Sequence, residues 1–360
     1  MTSLYYHKHG GVAKKSLTED DREILDFSVN ISPIFPPIAH LLLVDFALQS
    51  YPSIDGRGIK EYYQKKFTLS TSMILSLNGA IEGIYLLPRA LELRRIMLLS
   101  PSFYEYERAA KIAGAQIVSV PLEAEKGFRL PGIEALADAL IHADAFFAAN
   151  PNNPTGTEVP PEIIMALASR FPDKWFIVDE AFIQFTPEFP DNSLMGKVLA
   201  LKNVIVLHSL TKFYALPGLR LGALIAHPEV ITRLLDYKEP WTVNAIAESV
   251  AVKLLECGAY EESLLAMIVS ERERMKVSLT KLDGIRLAGG AANFFLAQWN
   301  KGCSLDHLLV YLKDQGIHVR DCRNFFGLEV NYFRFAVRTP LENNRFLDTM
   351  QAANRSLKLS

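Results

Sequence analysis

Two short apolar runs, residues 204–207 and 221–226, enclose a polar segment that carries a single lysine, Lys212. Runs of this length and composition are typical of strands that are buried on both faces. The lysine is therefore predicted to lie at the edge of a buried sheet, where lysine rarely occurs without a chemical reason. One such reason is a Schiff base with a carbonyl compound, for which the surroundings must lower the pKa of the amine.

Candidate phosphate-binding groups flank this lysine. Ser209 and Thr211 supply hydroxyls, and Arg220 follows Lys212 by eight positions. Hydroxyls and a guanidinium are the donors that a phosphate accepts. A Schiff-base lysine beside a phosphate site suggests the cofactor pyridoxal 5′-phosphate. The same residues could also form an ordinary exposed loop, and this segment alone leaves both interpretations open.

Strand and helix patterns alternate along residues 73–226. This alternation predicts an α/β fold built on one doubly wound, mostly parallel sheet. No predicted strand is followed by the glycine pattern of a dinucleotide site or by a P-loop. The sequence signatures of dinucleotide-binding and nucleoside-triphosphate-binding folds are therefore missing.

Two turns at predicted strand ends are candidate ligand sites. Gly79 and Ala80 stand between a strand and a helix, where free backbone N–H groups can bind an anion. The turn of residues 150–156, which includes Asn153, follows the predicted strand 145–149. It lies at the strand ends, where open α/β sheets bind ligands. A plain structural turn is the alternative for the Gly79 segment.

A carboxylate ends the apolar strand of residues 175–178. Burying the charged carboxylate of Asp179 at that position costs free energy unless a positive group contacts it. The protonated pyridine nitrogen of pyridoxal phosphate is one such group, and the ion pair would keep the ring able to withdraw electrons from Cα. The alternative is a helix N-cap or a surface turn.

After residue 230 the pattern changes to long helices and short strands, which predicts a second, smaller α+β domain that consists of a small sheet with helices on it. Within it, Arg334 and Arg338 would share one face of a strand because strand side chains alternate. Arginines on one face form a candidate carboxylate or phosphate site, with a solvated face as the equal alternative. The predicted elements are helices at 230–236, 243–257, 259–282, 307–315 and 341–356 and a strand at 293–298. The candidate arginines are Arg320, Arg323, Arg334 and Arg338.

The first 50 residues are predicted to form an extended arm, because prolines at 33, 36 and 37 favour extended chain. We expect the arm to lie along a surface and to be held by a partner. His9, with two glycines behind it, is a candidate ligand contact. The domain prediction is an arm over residues 1–50 that contributes to the small domain and the active site. The arm is followed by a large cofactor-binding domain over residues 51–230. Linker helices and the small domain then occupy residues 231–360.

Composition excludes several classes of function. The formal net charge is −2, which does not favour binding to nucleic acid or to an anionic membrane. The cysteines are Cys257, Cys303 and Cys322, an odd number without metal-ligand spacing, so neither a disulfide framework nor a metal site is favoured. The start of the chain has no signal-peptide pattern and no run is long enough to span a bilayer. We expect a cytoplasmic protein.

Taken in order, these motifs resemble those of the fold type I pyridoxal-phosphate-dependent aminotransferases, over nearly the whole chain. The resemblance implies that Lys212 forms the Schiff base and moves protons at Cα. It also implies that Asp179 pairs with the pyridine nitrogen and that Asn153 hydrogen-bonds the ring oxygen. The motifs are Asn78-Gly79-Ala80, the turn 150–156, Asp179-Glu180-Ala181 and Ser209-Leu210-Thr211-Lys212 followed by Arg220.

The resemblance also implies contacts around the cofactor and the substrate. Phe103 is expected to stack on the ring, and Arg334 to bind the substrate carboxylate. Tyr51 matches a tyrosine that reaches the phosphate of the neighbouring subunit, which implies a homodimer. The groups implied to hold the phosphate within one subunit are Gly79, Ala80, Ser209, Thr211 and Arg220.

Within this fold the sequence is similar to two groups, the threonine-phosphate decarboxylases of cobalamin biosynthesis and the histidinol-phosphate aminotransferases. The opening His9-Gly10-Gly11 with residues 26–33 is similar to the decarboxylases. Phe182 stands where aminotransferases usually have a tyrosine, and Arg338 also fits the decarboxylases better. Ser32 departs from that group, which commonly has asparagine there.

The resulting prediction is a decarboxylase that acts on L-threonine O-phosphate or L-serine O-phosphate. Both the decarboxylase and the aminotransferase substrates carry a phosphate, so a second anion site is needed. Arg320, Arg323 and His9 are its candidates, and Ser32, Asn153, Arg334 and Arg338 complete the predicted substrate site. Histidinol-phosphate aminotransferase is the alternative. A non-catalytic regulatory protein on this fold is a third reading, for which no DNA-binding segment is visible.

Overall fold

The computed structural model describes residues 9–11, 24–38, 50–328 and 330–357. The alternating region forms a seven-stranded sheet in the order β2-β8-β7-β6-β5-β3-β4. Six strands run in one direction and β8 is antiparallel to both of its neighbours, which confirms the predicted doubly wound, mostly parallel sheet. The strands are β2 (Ile74–Asn78), β3 (Arg95–Ser100), β4 (Gln116–Pro121), β5 (Ala145–Ala149), β6 (Trp175–Asp179), β7 (Val204–Ser209) and β8 (Leu221–Ala226).

Helices cover both faces of this sheet, because its central strands are apolar on both sides. Every residue of β5, β7 and β8 is buried, as expected for strands between two layers of helices. One face packs against α2, α3 and α6, and the other against α1, α4, α5 and α7. The helices are α1 (Arg57–Phe67), α2 (Ala80–Ala90), α3 (Tyr104–Ile112), α4 (Ile133–Ile141), α5 (Pro161–Arg170), α6 (Pro228–Leu235) and α7 (Ala245–Lys253).

A second sheet of four antiparallel strands, in the order β12-β13-β10-β9, forms the C-terminal part. Arg320 of β12 lies opposite Arg334 of β13. The strands are β9 (Ile285–Gly289), β10 (Phe294–Trp299), β12 (Arg320–Asp321) and β13 (Tyr332–Ala336), and the helices beside them are α8 (Gly258–Leu279), α9 (Leu305–Asp314) and α10 (Pro340–Ser356).

The described part of the N-terminal arm is held by its own chain. Strand β1 (Leu25–Asp26) pairs in parallel with β11 (Ile317–His318), and the buried ring of Phe27 stacks on Phe346. The Ser32 N–H donates to the carbonyl of Lys212 at 2.8 Å. Residues 24–38 are therefore held by contacts within their own chain, and contact of the arm with a partner stays a prediction. Residues 1–8, 12–23 and 39–49 of the predicted arm lie outside the described residues.

The structure corrects the prediction for the C-terminal part at two points. Strand β9 was missed, because Gly289 and Gly290 at its end weaken the strand pattern. Strand β13 ends at Ala336, so Arg338 lies beyond it and the predicted pairing of two arginines on one strand face is wrong. No helix in the described ranges is long and apolar enough to cross a membrane.

Candidate active site

A cavity of about 450 Å³ lies where the ends of the parallel strands meet the four-stranded sheet. The large sheet contributes residues at or just after its strand ends, including Ala149, Asp179 and Ser209. The small sheet contributes Arg320 and Arg334. Ligands of open α/β sheets bind at this edge, and the cavity has the size of a small-molecule site.

Lys212 enters the cavity from the segment that follows β7. Burial lowers the pKa of its amine to about 8, and the charges of Arg220 and Arg334 act in the same direction. Asp179 opposes this shift. A lysine with this pKa is partly deprotonated near neutral pH, which is the state in which an amine attacks a carbonyl carbon.

Asp179 is a buried carboxylate, 5 % exposed, at the end of β6. Burial raises its pKa to about 6 even though two donors stabilise the charged form. The hydroxyl of Tyr106 donates to Asp179 at 2.8 Å, and the Ala181 N–H donates at 2.9 Å. The charge of Lys212 also stabilises the ionised form of Asp179. A protonated heterocyclic nitrogen bound in the cavity would supply a direct ion-pair partner.

The phosphate-binding candidates meet at the start of α2. The hydroxyls of Ser209 and Thr211 are 2.8 Å apart, and both residues line the cavity with Ala80 and Arg220. A Cβ on Gly79, whose φ is 76°, would approach the guanidinium of Arg220 to 2.5 Å. Glycine is therefore required for the helix start and the guanidinium to come together. Hydroxyls, an arginine and a helix N-terminus make a fitting phosphate site.

Asn153 and Phe103 line the space between these groups. The side-chain oxygen of Asn153 accepts a hydrogen bond from Arg334, so this residue joins the large sheet to the small one. Phe103 precedes α3 and contacts Tyr106 edge to face, with ring centroids 5.6 Å apart. Phe182 contacts Phe294 in the same manner at 5.4 Å and also lines the cavity.

Two arginines lie side by side on the small-sheet wall, because Arg320 and Arg334 are opposite each other on β12 and β13. Arg334 is buried and donates to the carbonyl of Ser28 at 2.9 Å as well as to Asn153. Burial is the main reason that the pKa of Arg334 is lowered to about 10. Cys322 opposes this shift, and the charge of Arg320 contributes to it. Among the described residues, the Nε atom of Arg334 has no hydrogen-bond partner. This wall is suited to anions.

Comparison with known proteins identifies the family of this chain. The family described as aminotransferase class I and II matches residues 49–350. The chain belongs to this family. It is 32% identical to the threonine-phosphate decarboxylase of Salmonella typhimurium over 362 residues, which covers 97% of each chain.

Solved structures share the fold. The histidinol-phosphate aminotransferase of Clostridium acetobutylicum has a TM-score of 0.86 and 30% identity, and the match covers 93% of this chain and 100% of that one. The L-threonine-O-3-phosphate decarboxylase of Porphyromonas gingivalis has a TM-score of 0.81 and 25% identity, covering 92% and 99%. The protein is thus a fold type I enzyme that uses pyridoxal phosphate, and the lysine, carboxylate and phosphate groups described above fit that cofactor.

Five predicted site residues of this aminotransferase-family chain are not among the residues that line the cavity, and one of them, Gly79, directly precedes Ala80, which does line it. Arg323 is bound by Asp321 and Asp306 at 2.8 and 2.7 Å. Arg338 is bound by Glu342 at 2.6 Å and by the carbonyl of Asp26 at 3.0 Å. The remaining two are Ser32, whose hydroxyl bonds with Tyr260 and the carbonyl of Ile34, and Tyr51, which is 85 % exposed and contacts Trp241.

Sequence reasoning missed several polar residues that the fold brings to the cavity. Asn30 is 4 % exposed, and no described group accepts from or donates to its amide. Its position two residues before Ser32 was the available signal. Tyr106, the partner of Asp179, follows the predicted stacking residue by three positions. The others are Tyr85, Glu105 and Arg108, which nothing in their local sequence distinguishes from surface residues.

Proposed function

We propose that this enzyme decarboxylates an O-phosphorylated hydroxy amino acid. L-threonine O-3-phosphate would give (R)-1-aminopropan-2-yl phosphate for cobalamin biosynthesis, and L-serine O-phosphate would give ethanolamine phosphate. The assignment is supported by the threonine-phosphate decarboxylase of Salmonella typhimurium, which is 32% identical over nearly the whole chain. It is also supported by the distribution of charge in the cavity.

The observation that carries the proposal is the second group of cations. Arg220 with the hydroxyls of Ser209 and Thr211 is sufficient for one phosphate. Arg320 and Arg334 lie on the opposite wall as cross-strand neighbours. A substrate with both a carboxylate and a phosphate would use both of these arginines, whereas histidinol phosphate carries a phosphate only.

We assign the cofactor contacts from the same geometry. Asp179 would hold the pyridine nitrogen, Asn153 the ring oxygen and Phe103 one face of the ring. Ser209, Thr211, Arg220 and the backbone N–H groups at Gly79 and Ala80 would hold the phosphate. When bound, pyridoxal phosphate supplies an electron sink for the pair of electrons left at Cα.

Lys212 would move protons at Cα. Its pKa of about 8 lies close to neutral pH, the range in which a group can both accept and donate a proton efficiently. Asp179 would stay ionised opposite a positive nitrogen, because an opposite charge lowers the pKa of a carboxyl below the value of about 6 that burial gives it.

Arg334 and Arg320 would decide which bond at Cα breaks. We assign Arg334 to the substrate carboxylate, since its buried Nε lacks a described partner, and Arg320 and His9 to the substrate phosphate. Anchoring both anions fixes the rotation of the substrate about its Cα–N bond. Decarboxylation requires the Cα–carboxylate bond to stand perpendicular to the ring, whereas transamination requires the Cα–H bond there.

We also propose that two copies assemble as a homodimer. Tyr51 is 85 % exposed and Trp241 is 48 % exposed, and their rings are 5.4 Å apart. A pair of exposed aromatic rings fits an interface, where Tyr51 would reach the cofactor phosphate of the other subunit. The three predicted units, 1–50, 51–230 and 231–360, remain our proposal for the domain division.

Histidinol-phosphate aminotransferase is the second candidate, because the solved aminotransferase of Clostridium acetobutylicum matches with a TM-score of 0.86. The two candidates differ in their products. We would load the purified protein with pyridoxal phosphate and measure carbon dioxide from L-threonine O-phosphate and L-serine O-phosphate. In parallel, histidinol phosphate with 2-oxoglutarate would be tested for glutamate formation.

Carbon dioxide release from either phosphorylated amino acid is the expected result. Release from neither compound, together with glutamate formation, would replace the proposal with the aminotransferase. A preference between the two phosphorylated amino acids is expected to be modest, because one methyl group is worth only about 1–3 kcal/mol of discrimination.

A further inference from the structure

Glu105 is a carboxylate in the wall of a cavity that must receive anions. It lies in the first turn of α3 and is 8 % exposed. Its position is unexpected, because an ionised carboxylate repels a phosphate or carboxylate ligand. The groups around it indicate what it does instead.

Three side chains bind this carboxylate. Tyr85 donates to Oε2, and the Arg108 Nη1 atom lies 3.4 Å from the same oxygen. The His9 Nε2 atom lies 3.1 Å from Oε1. Burial alone would raise the pKa of Glu105, but the hydrogen bonds from His9 and Tyr85 lower it to about 2. The carboxylate is therefore charged at any pH at which the enzyme works.

His9 belongs to a short segment that crosses from one wall of the cavity to the other. The Gly11 N–H donates to the Ser28 hydroxyl at 2.8 Å, and a Cβ on Gly10 would come within 2.2 Å of the Ser28 carbonyl oxygen. That carbonyl also accepts from Arg334. Residues 9–11 thus touch the substrate-side wall at Ser28 and the large-sheet wall at Glu105.

We propose that Glu105 is a positioning residue that holds His9 and the backbone of Gly10 and Gly11 against the cavity, where they enclose the phosphorylated end of the substrate. The inference rests on the proposed function for the identity of that substrate. Tyr85 and Arg108 fix the carboxylate, and the carboxylate fixes His9. The benefit of a correctly placed imidazole, with the Gly10 backbone beside it in the cavity wall, exceeds the repulsion that the buried charge exerts on the ligand.

The substitution Glu105→Gln distinguishes a positioning role from a purely electrostatic one, because the two roles predict opposite changes in KM. Removing a negative charge from an anion site lowers KM for a phosphorylated substrate if charge alone matters. If Glu105 positions His9, KM for L-threonine O-phosphate rises about tenfold, the effect of one lost hydrogen bond to a charged group. In either case kcat should change much less than KM.

Glu107→Gln is the matched control, since Glu107 lies on the same helix turn but pairs with Lys111 outside the cavity. Its KM should equal that of the wild type. A double-mutant cycle with His9→Ala tests whether Glu105 acts on KM through His9. Glu105→Gln should add little in the His9→Ala background, and full additivity would contradict the proposal.

A readout without turnover keeps this inference separate from the proposed function. Amide hydrogen exchange at Gly10 and Gly11 in the cofactor-loaded protein should be faster in Glu105→Gln than in the wild type and in Glu107→Gln. The absorbance of the bound cofactor serves as the folding control. Equal exchange in all three proteins, or a KM that falls in Glu105→Gln, would overturn the inference. Absence of carbon dioxide from the wild type would overturn only the proposed function.

Discussion

The two walls of the cavity carry their polar groups in different ways. The seven-stranded sheet presents Asp179 and Ser209 at the ends of β6 and β7, with Lys212 just beyond. The four-stranded sheet presents Arg334 from the middle of β13, opposite Arg320 on β12. Groups at strand ends are placed by the local chain, whereas mid-strand groups are placed by the pairing register.

This difference assigns separate tasks to the two walls. The strand-end groups of the large sheet fit a constant ligand, the cofactor, and Asp179 and Ser209 each form a hydrogen bond with the residue two positions later. The paired arginines of β12 and β13 lie where a change of side chain alters the ligand without moving the backbone. Substitutions on the first wall should therefore change cofactor binding, and those on the second should change substrate binding.

The largest expected effect is on the first wall, in Lys212→Ala. Loss of the amine removes both the covalent attachment and the proton carrier, so the rate of carbon dioxide release should fall by about 10³-fold or more. The absorbance band of the covalently attached cofactor should disappear in the same variant. Retention of that band would show that a different residue holds the cofactor.

On the second wall, Arg334→Met should raise KM for L-threonine O-phosphate about a hundredfold, because the substrate carboxylate loses a buried charged partner. The dissociation constant of the cofactor should be nearly unchanged.

The corresponding variant on the first wall is Ser209→Ala. It should weaken cofactor binding about fivefold, the effect of losing one hydrogen bond, and leave KM for L-threonine O-phosphate unchanged. Steady-state kinetics and cofactor titration of Arg334→Met and Ser209→Ala measure both quantities. The division between the walls is contradicted if both variants change KM, or if both change the dissociation constant of the cofactor.

The buried carboxylate of the first wall predicts a pH effect on the cofactor-free protein. The pKa of Asp179 is about 6 in the fold and 3.8 by its ordinary value. Between these values the folded protein binds the proton more tightly than the unfolded chain, so the free energy of unfolding should decrease as pH rises from about 4 to about 6. The contribution is about 3 kcal/mol.

The substitution Asp179→Asn should remove this contribution, which denaturant unfolding of the cofactor-free protein at several pH values would measure. Glu180→Gln is a useful comparison, because burial raises the pKa of Glu180 to about 7 and its effect extends to higher pH. Identical pH profiles for the wild type and Asp179→Asn would contradict the assignment of the shift to Asp179.

An effect as small as that of Ser209→Ala is expected from Tyr106→Phe. The variant loses the 2.8 Å hydrogen bond to Asp179, which should raise the pKa of that carboxyl further. Cofactor affinity at neutral pH should fall about fivefold. An unchanged dissociation constant would show that the Ala181 N–H alone is enough to hold the carboxylate.

The same contrast between the walls explains what the sequence could predict. The order of the large-sheet elements and the placement of Lys212 and Asp179 at strand ends follow from apolar runs and the polar residues that end them, and the predicted sheet is confirmed. Strand β9 was missed because it ends in a glycine, Gly289, and a second glycine, Gly290, follows it. Its existence depends on pairing with β10, a tertiary contact that local propensity does not contain.

The arginines of the second wall were predicted less well. Four were candidates, and the cavity contains Arg320 and Arg334 of these. Arg338 is bound by Glu342 four residues later, a spacing that was visible in the sequence. Arg323 is bound by Asp306, 17 positions earlier in the chain, a pairing that only the fold reveals. The local sequence around Asn30 and Glu105 does not mark either residue as functional. Only their burial in the fold and the residues that contact them identify them as site residues.

The most direct test of the division between the walls is a single turnover of the cofactor-loaded enzyme with L-threonine O-phosphate. Carbon dioxide and the absorbance of the cofactor would be recorded together. The account predicts about one carbon dioxide per active site, with the cofactor returning to its starting spectrum. A spectrum that moves to pyridoxamine phosphate without carbon dioxide would contradict it, because the second wall would then be orienting the Cα–H bond rather than the carboxylate.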